Sequence, residues 1–111
     1  MFSKQMQTMK VKESKDLTDI EKIKYFTWIK DNKKCIVCGR YPEIHHVTHK
    51  SIKGKRRLHS RVAPLCFDHH SAQSSKISIH GNPTEFYNSI RVKELVLIAS
   101  KMYQEYLNEL S

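Results

Sequence analysis

No stretch of this 111-residue chain is apolar over the roughly 20 residues that a membrane-spanning helix needs. The N-terminal residues Met1 to Lys15 are polar and carry Lys4, Lys10, Lys12 and Lys15. They lack the apolar run of a secretory signal. Apolar residues make up only 39% of the sequence, so a single domain of this length is expected to have a small core. Acidic residues are also scarce. Asp and Glu number 11 against 20 Lys and Arg, giving a formal net charge of +9 and a pI near 9.6. Cysteine is limited to three residues, and an odd number does not suit a disulfide framework. These absences point away from membrane and secreted classes. They point toward a small cytoplasmic protein that gains from a structural metal and meets an anionic partner, most often nucleic acid.

The cysteines that are present fall into matched pairs. Cys35-Ile36-Val37-Cys38 is a C-x-x-C step, and Cys66-Phe67-Asp68-His69 is a C-x-x-H step. Zn2+ takes four thiolate or imidazole ligands in a tetrahedron, and a two-residue gap lets one turn supply two of them. Cys35, Cys38, Cys66 and His69 are therefore expected to hold one structural zinc. Three thiolates against the ion's two positive charges change the net charge by only about one unit, so the loaded protein stays basic.

Further histidines exceed what one structural site needs. His45 and His46 form a doublet, His70 directly follows His69, and His80 stands alone before Gly81. A lone histidine is ordinarily a surface residue or a satisfied core residue. A doublet beside a zinc clasp, with a second histidine directly after a zinc ligand, is a more unusual combination.

Residues 1–15 read as a flexible basic arm and residues 16–111 as one domain. Thr18-Asp19-Ile20-Glu21 has the capping-box pattern and starts a helix. Leu17, Ile20, Ile23, Phe26 and Ile29 are spaced for its apolar face, with Tyr25 alongside, and residues 31–34 end it. Residues 35–41 form the first zinc turn. Ile44 to Thr48 and Arg61 to Leu65 are expected strands. Between them lies a basic loop with Lys50, Lys53, Lys55, Arg56, Arg57 and Arg61, suited to phosphate contacts. Phosphate contacts position a substrate without reading its sequence, so low sequence specificity is expected. A helix is expected from Cys66 through Gln73. Another begins at Asn82-Pro83, with proline in a tolerated first-turn position. The last runs from Val92 to Leu110, with Leu95, Ile98, Ala99, Met102, Tyr106 and Leu110 set to pack on the first helix. The fold class is α+β, a ββα unit with a zinc clasp at its base, flanked by N- and C-terminal helices.

At this point the chain resembles the HNH-type nucleases with the ββα-metal fold. The pieces that carry the resemblance are CIVC, EIHHV, KSIKGKRR and APLCFDHH, within residues 35–87. The following HGNPTEF is similar to small phage proteins of the Ref-like recombination nuclease group. The resemblance implies a metal-dependent endonuclease in the cytoplasm of a bacterial host, acting in phage recombination or DNA processing. It implies that His45 and His70 are ligands of a catalytic ion and that His46 is the general base. The family's third ligand sits about one helical turn further on, where this chain has Ser74, so His80 is the better candidate. The family's middle Asn corresponds to Arg61. A backbone carbonyl is then expected to hold His46, or Arg61 to contact phosphate.

The chemistry is coherent without the name. Phosphodiester hydrolysis needs an activated water and a neutralised leaving 3′ oxygen. A neutral histidine can take the proton, and a divalent ion can neutralise the charge. Histidine ligands favour Zn2+, Ni2+, Mn2+ or Co2+ over Mg2+, although phosphate and water oxygens would let Mg2+ serve. Adjacent strand residues point to opposite faces. His45 and His46 could then share one site only at a strand end or a bulge after Ile44. No aromatic platform stands out near the basic loop, which favours double-stranded DNA over single strands, and RNA in place of DNA stays open. The alternatives are a non-catalytic, zinc-stabilised nucleic-acid binder and an interaction module that recruits a recombination or packaging protein.

Overall fold

The computed structural model describes residues 16–54, 57–72 and 78–111. The expected basic arm and the loop residues Lys55 and Arg56 lie outside the described residues. The helix after Cys66 covers only Phe67–His70, with Ser71 as its C-cap, so it is shorter than expected; Gln73 and Ser74 lie outside the described residues. Among the described residues there are two strands and four helices, a small mixed α+β architecture. In chain order they are α1 (Asp19–Asn32), β1 (Glu43–His46), β2 (Val62–Leu65), α2 (Phe67–His70), α3 (Pro83–Ser89) and α4 (Val92–Leu110). No described helix is long and apolar enough to cross a membrane.

Helix α1 begins where the capping box places it. The Thr18 hydroxyl accepts from the Glu21 amide (3.2 Å), and the Glu21 carboxylate accepts from the Thr18 amide (2.8 Å). Two of the orphan N–H groups of the first turn are thereby satisfied. The buried face differs from the expected one. Tyr25 and Ile29 are fully buried, whereas Ile20 and Ile23 are 67% and 61% exposed. At about 100° per residue these two isoleucines lie roughly half a turn away from Tyr25. The aromatic rings set the rotation. Tyr25 meets Tyr106 at 4.7 Å and Tyr103 at 5.2 Å between ring centres, and Trp28 meets Tyr106 at 5.3 Å. Large rings bury more apolar area per contact than an isoleucine does, so they take the seam with α4. The expected docking of the last helix on the first is present. Polar contacts fix its C-terminal end, where Lys33 pairs with Glu105 at 2.7 Å and the Trp28 indole N–H donates to Glu109 at 3.0 Å, but Leu110, expected in the seam, is exposed.

The strands form a two-stranded antiparallel ribbon, each four residues long and slightly shorter than expected. The register runs Glu43 to Leu65, Ile44 to Pro64, His45 to Ala63 and His46 to Val62, with no interruption. Pro64 has no amide to donate, and a two-stranded ribbon tolerates this because each strand has a free edge. Its carbonyl accepts from the Ile36 amide (3.1 Å), which ties the Cys35–Cys38 turn to β2.

The two faces of β2 enter two apolar clusters. Ala63 and Leu65 join Val47, Ile79, Phe86, Leu95 and Ala99. Val62 joins Tyr25, Ile29, Met102 and Tyr106. The first half of α4 therefore closes one cluster and its second half the other. The same alternation sends β1 side chains to two different environments.

Candidate metal centres

The first centre is built from two turns. After α1, the Cys35 amide donates to the Arg40 carbonyl (2.8 Å) and the Gly39 amide donates to the Cys35 carbonyl (2.9 Å). Gly39 closes this turn at φ +80, a backbone region that glycine enters without penalty. The Val37 amide points at the Cys35 sulfur at 3.4 Å. The second turn is the start of α2, where the His69 and His70 amides both donate to the Cys66 carbonyl. Together the turns bring Cys35, Cys38, Cys66 and His69 into one group, with all four ligand atoms within 4.8 Å of one another. Cys38 Sγ lies 3.5 Å from Cys66 Sγ. His69 Nδ1 lies 3.2 Å from Cys66 Sγ and 3.7 Å from Cys35 Sγ. Ligand bonds of about 2.3 Å to sulfur and 2.0 Å to nitrogen around a tetrahedral ion require similar separations. The residues expected from spacing therefore converge and could hold a metal ion such as zinc.

The electrostatics of the thiols differ. The Arg40 amide, helped by neighbouring hydrogen bonds, holds the Cys38 thiol below its ordinary range. Burial pushes the Cys66 thiol up. A cation must displace that proton to bind the thiolate, so loading of this site releases protons.

The second centre lies on the next residue of α2. His45, His70 and His80 each offer a ring nitrogen, and these three atoms also lie within 4.8 Å of one another. Their ring centres are 4.8 to 5.1 Å apart. The segment carrying His80 returns across the end of α2. The His80 amide donates to the His70 carbonyl (3.1 Å), the Ile79 amide to the His69 carbonyl (2.9 Å), and the Ser78 hydroxyl to the His70 carbonyl (3.2 Å). A return segment, not a continued helix, thus delivers the third histidine.

His45 is only 4% exposed, and its Nε2 is buried without a hydrogen-bond partner. An orphan buried nitrogen is costly unless something fills its lone pair or takes its proton. Burial, then the neighbouring His70 and His80, push the His45 pKa down to about 3. Burial and His70 also lower that of His80. The His45 and His80 rings are thus held toward the neutral form and present lone pairs, which is the state a metal ligand needs. Glu43 supports the arrangement. Its Oε1 lies 2.8 Å from His70 Nδ1, and a carboxylate that accepts a hydrogen bond from Nδ1–H leaves the Nε2 lone pair free to ligate.

His46 stands elsewhere. The ladder has no bulge, so His46 leaves the opposite face of β1. Its ring packs edge-on to Phe26, and its Nε2 lies 2.9 Å from His59 Nδ1. Burial, then Arg57 and His59, lower its pKa to about 4. The His59 amide in turn donates to both carboxylate oxygens of Asp16 at 2.8 Å. The partner of His46 is thus a second imidazole. The structure brings His45, His70 and His80 together and does not bring His46 among them.

In the loop, Lys50, Lys53 and Arg57 are exposed. Arg61 is half-buried, and its Nε donates to the Val47 carbonyl at 3.4 Å. Ser78 and His59 complete the surroundings of the histidines without having stood out in the sequence motifs, and Glu43 stands in them only as the first residue of EIHHV. The period of two along β1 was the available signal for Glu43, which shares a face with His45. No local pattern marks Ser78 or His59. No family model, curated protein or solved structure matches the chain.

Proposed function

We propose that this protein is a metal-dependent endonuclease of the HNH type, which hydrolyses phosphodiester bonds in DNA with low sequence specificity. The observation that carries this reading is the convergence of three imidazoles, one with a buried, unpartnered nitrogen. Three histidines leave coordination positions open for substrate, the arrangement expected of a catalytic rather than a structural site. A divalent ion held there supplies neutralisation of charge at the leaving 3′ oxygen. His45, His70 and His80 hold it, Glu43 fixes the His70 tautomer, and Lys50, Lys53, Arg57 and their loop neighbours bind backbone phosphates. Cys35, Cys38, Cys66 and His69 hold the structural zinc that sets α2 in place.

His46 is the base in this reading. It is neutral at pH 7. In the tautomer where Nε2 donates to His59, its Nδ1 carries the free lone pair. His46 is the last residue of β1, so the reading requires the scissile phosphate to lie across that strand end, between the two faces. One observation favours a second reading, a non-catalytic nucleic-acid-binding module: His46 and the triad occupy opposite faces of the ribbon.

Supercoiled plasmid and RNA, each incubated with zinc-loaded protein and added Mn2+, Ni2+ or Mg2+, separate the two. The nuclease cuts at lower Mn2+ or Ni2+ than Mg2+ concentration, and His45→Ala and His70→Ala lose both the second ion and cleavage. A parent protein that binds DNA but cuts nothing with any divalent ion leaves the binding module.

A further inference from the structure

A second recognition surface lies on the outer side of the zinc clasp. Tyr41 and Phe67 are large aromatic side chains, yet they are 71% and 57% exposed. Both line a shallow cleft of about 340 Å³, with Cys66, Arg40 and Asp68 as its other walls. That volume is near the lower end of the roughly 300–1,000 Å³ typical of small-ligand clefts. Tyr41 follows the first zinc turn and Phe67 opens α2, so the clasp fixes the backbone that carries each ring.

The charge of the cleft restricts what it takes. Arg40 Nη1 pairs with Asp68 Oδ2 at 2.7 Å, so the cation beside the rings is already neutralised. An isolated phosphate gains little there. The surface instead offers two apolar π-faces and a fixed donor–acceptor pair at the rim, which suits a flat, neutral, hydrogen-bonding ligand. The chain as a whole carries +9, which suits a polyanion. A nucleobase attached to a polynucleotide meets both conditions at once.

We infer that the cleft between Tyr41 and Phe67 binds an unpaired nucleobase of single-stranded nucleic acid, so that the preferred substrate carries unpaired bases beside its duplex. This rests on the nucleic-acid part of the proposed function and not on cleavage. Stacking on exposed aromatic rings tolerates any base, because every base has a π-face. The Arg40–Asp68 pair adds edge contacts without demanding one sequence.

The test is equilibrium binding of zinc-loaded protein, with no other divalent ion added, to a fluorescently labelled single-stranded 12-mer and to its duplex. Tyr41→Ala and Phe67→Ala are each expected to weaken single-strand binding by roughly 5- to 100-fold, the range for losing one base stack. Duplex binding and the salt slope should stay as in the parent, because the cations that meet phosphate are untouched. Tyr41→Trp should restore binding, and placing abasic sites in the oligonucleotide should erase the difference between parent and variant. Zinc content and circular dichroism verify that each variant is folded. The inference is overturned if folded Tyr41→Ala and Phe67→Ala bind the single strand like the parent, the outcome expected if a protein partner occupies the cleft. It is also overturned if they weaken duplex and single strand equally. A protein that shows this pattern yet cuts nothing fails as a nuclease while keeping the base site. A protein that cuts plasmid with no effect of either variant keeps the nuclease and loses the base site.

Discussion

Glu43 Oε1 lies 2.8 Å from His70 Nδ1, on the face of β1 that also carries His45. Removing the carboxylate leaves all three imidazoles but frees the His70 ring to turn or change tautomer. Glu43→Ala should weaken binding of the second ion by about 10- to 100-fold, the usual cost of losing such a partner. Glu43→Gln, which keeps an accepting oxygen, should lose less. Titration of zinc-loaded protein with Mn2+ or Co2+ measures this. Equal affinity in all three proteins would mean that His70 is oriented by something else.

The structural site predicts one tightly held zinc per chain. Cys35→Ser removes a ligand that is also part of the apolar cluster around Leu65 and Phe86. Its zinc should leave on dialysis, and the cooperative thermal transition should broaden or vanish, because binding energy at such sites is folding energy. A variant with full zinc and an unchanged transition would disprove the assignment.

His45 gives the protein an acid limit. Its folded pKa of about 3 lies below the ordinary histidine value of 6.5. The unfolded chain therefore binds a proton that the folded chain refuses. Stability from this group is complete above pH 6.5 and falls as the pH drops toward 3. The full effect is on the order of a few kcal/mol. Urea midpoints between about pH 7.5 and pH 4 should decline more steeply for the parent than for His45→Gln, each held at constant zinc. Parallel curves would show that acid sensitivity arises elsewhere.

His46 and His59 are expected to behave as a pair. His46→Ala should keep zinc, the second ion and DNA binding while cleavage falls by roughly 100- to 10,000-fold, the range for a lost general base. His59→Ala should lower cleavage less, since it only orients His46. Cleavage that survives His46→Ala intact would assign proton removal to the ion's own bound water.

Exposed Lys50, Lys53 and Arg57 should carry the salt dependence of DNA binding. Their joint replacement by Ala is expected to reduce the log–log slope by about 0.9 for each phosphate left without its cation. An unchanged slope would place the phosphate-binding surface on another part of the chain.

Much of this architecture was legible because it depends on short-range rules. The capping box at Thr18, the matched Cys and His spacings and the strand–loop–strand order each fix a local geometry. The rotation of α1 was not legible, because it is settled by Tyr103 and Tyr106, which lie at the far end of the sequence. Placing His80 required knowing that Ser78 and Ile79 bond back to the end of α2. The family resemblance implies a ligand one helical turn along, whereas a return segment brings His80 beside His45 and His70. For His46, the strand rule itself contained the answer: without a bulge, its side chain leaves the face that His45 occupies.

His69 and His70 are consecutive, yet their rings serve two separate clusters on one four-residue helix. An ion at the first centre would hold Cys66 and His69 against the Cys35–Cys38 turn and so brace the backbone that aims His70 at His45. The backbone carbonyls that anchor the His80 segment belong to these same two residues. Under the proposed function the two sites are therefore expected to load in order, the second ion binding zinc-loaded protein more tightly than zinc-stripped protein. Loss of zinc would then weaken the histidine cluster together with the clasp, which would couple the proposed activity to zinc supply.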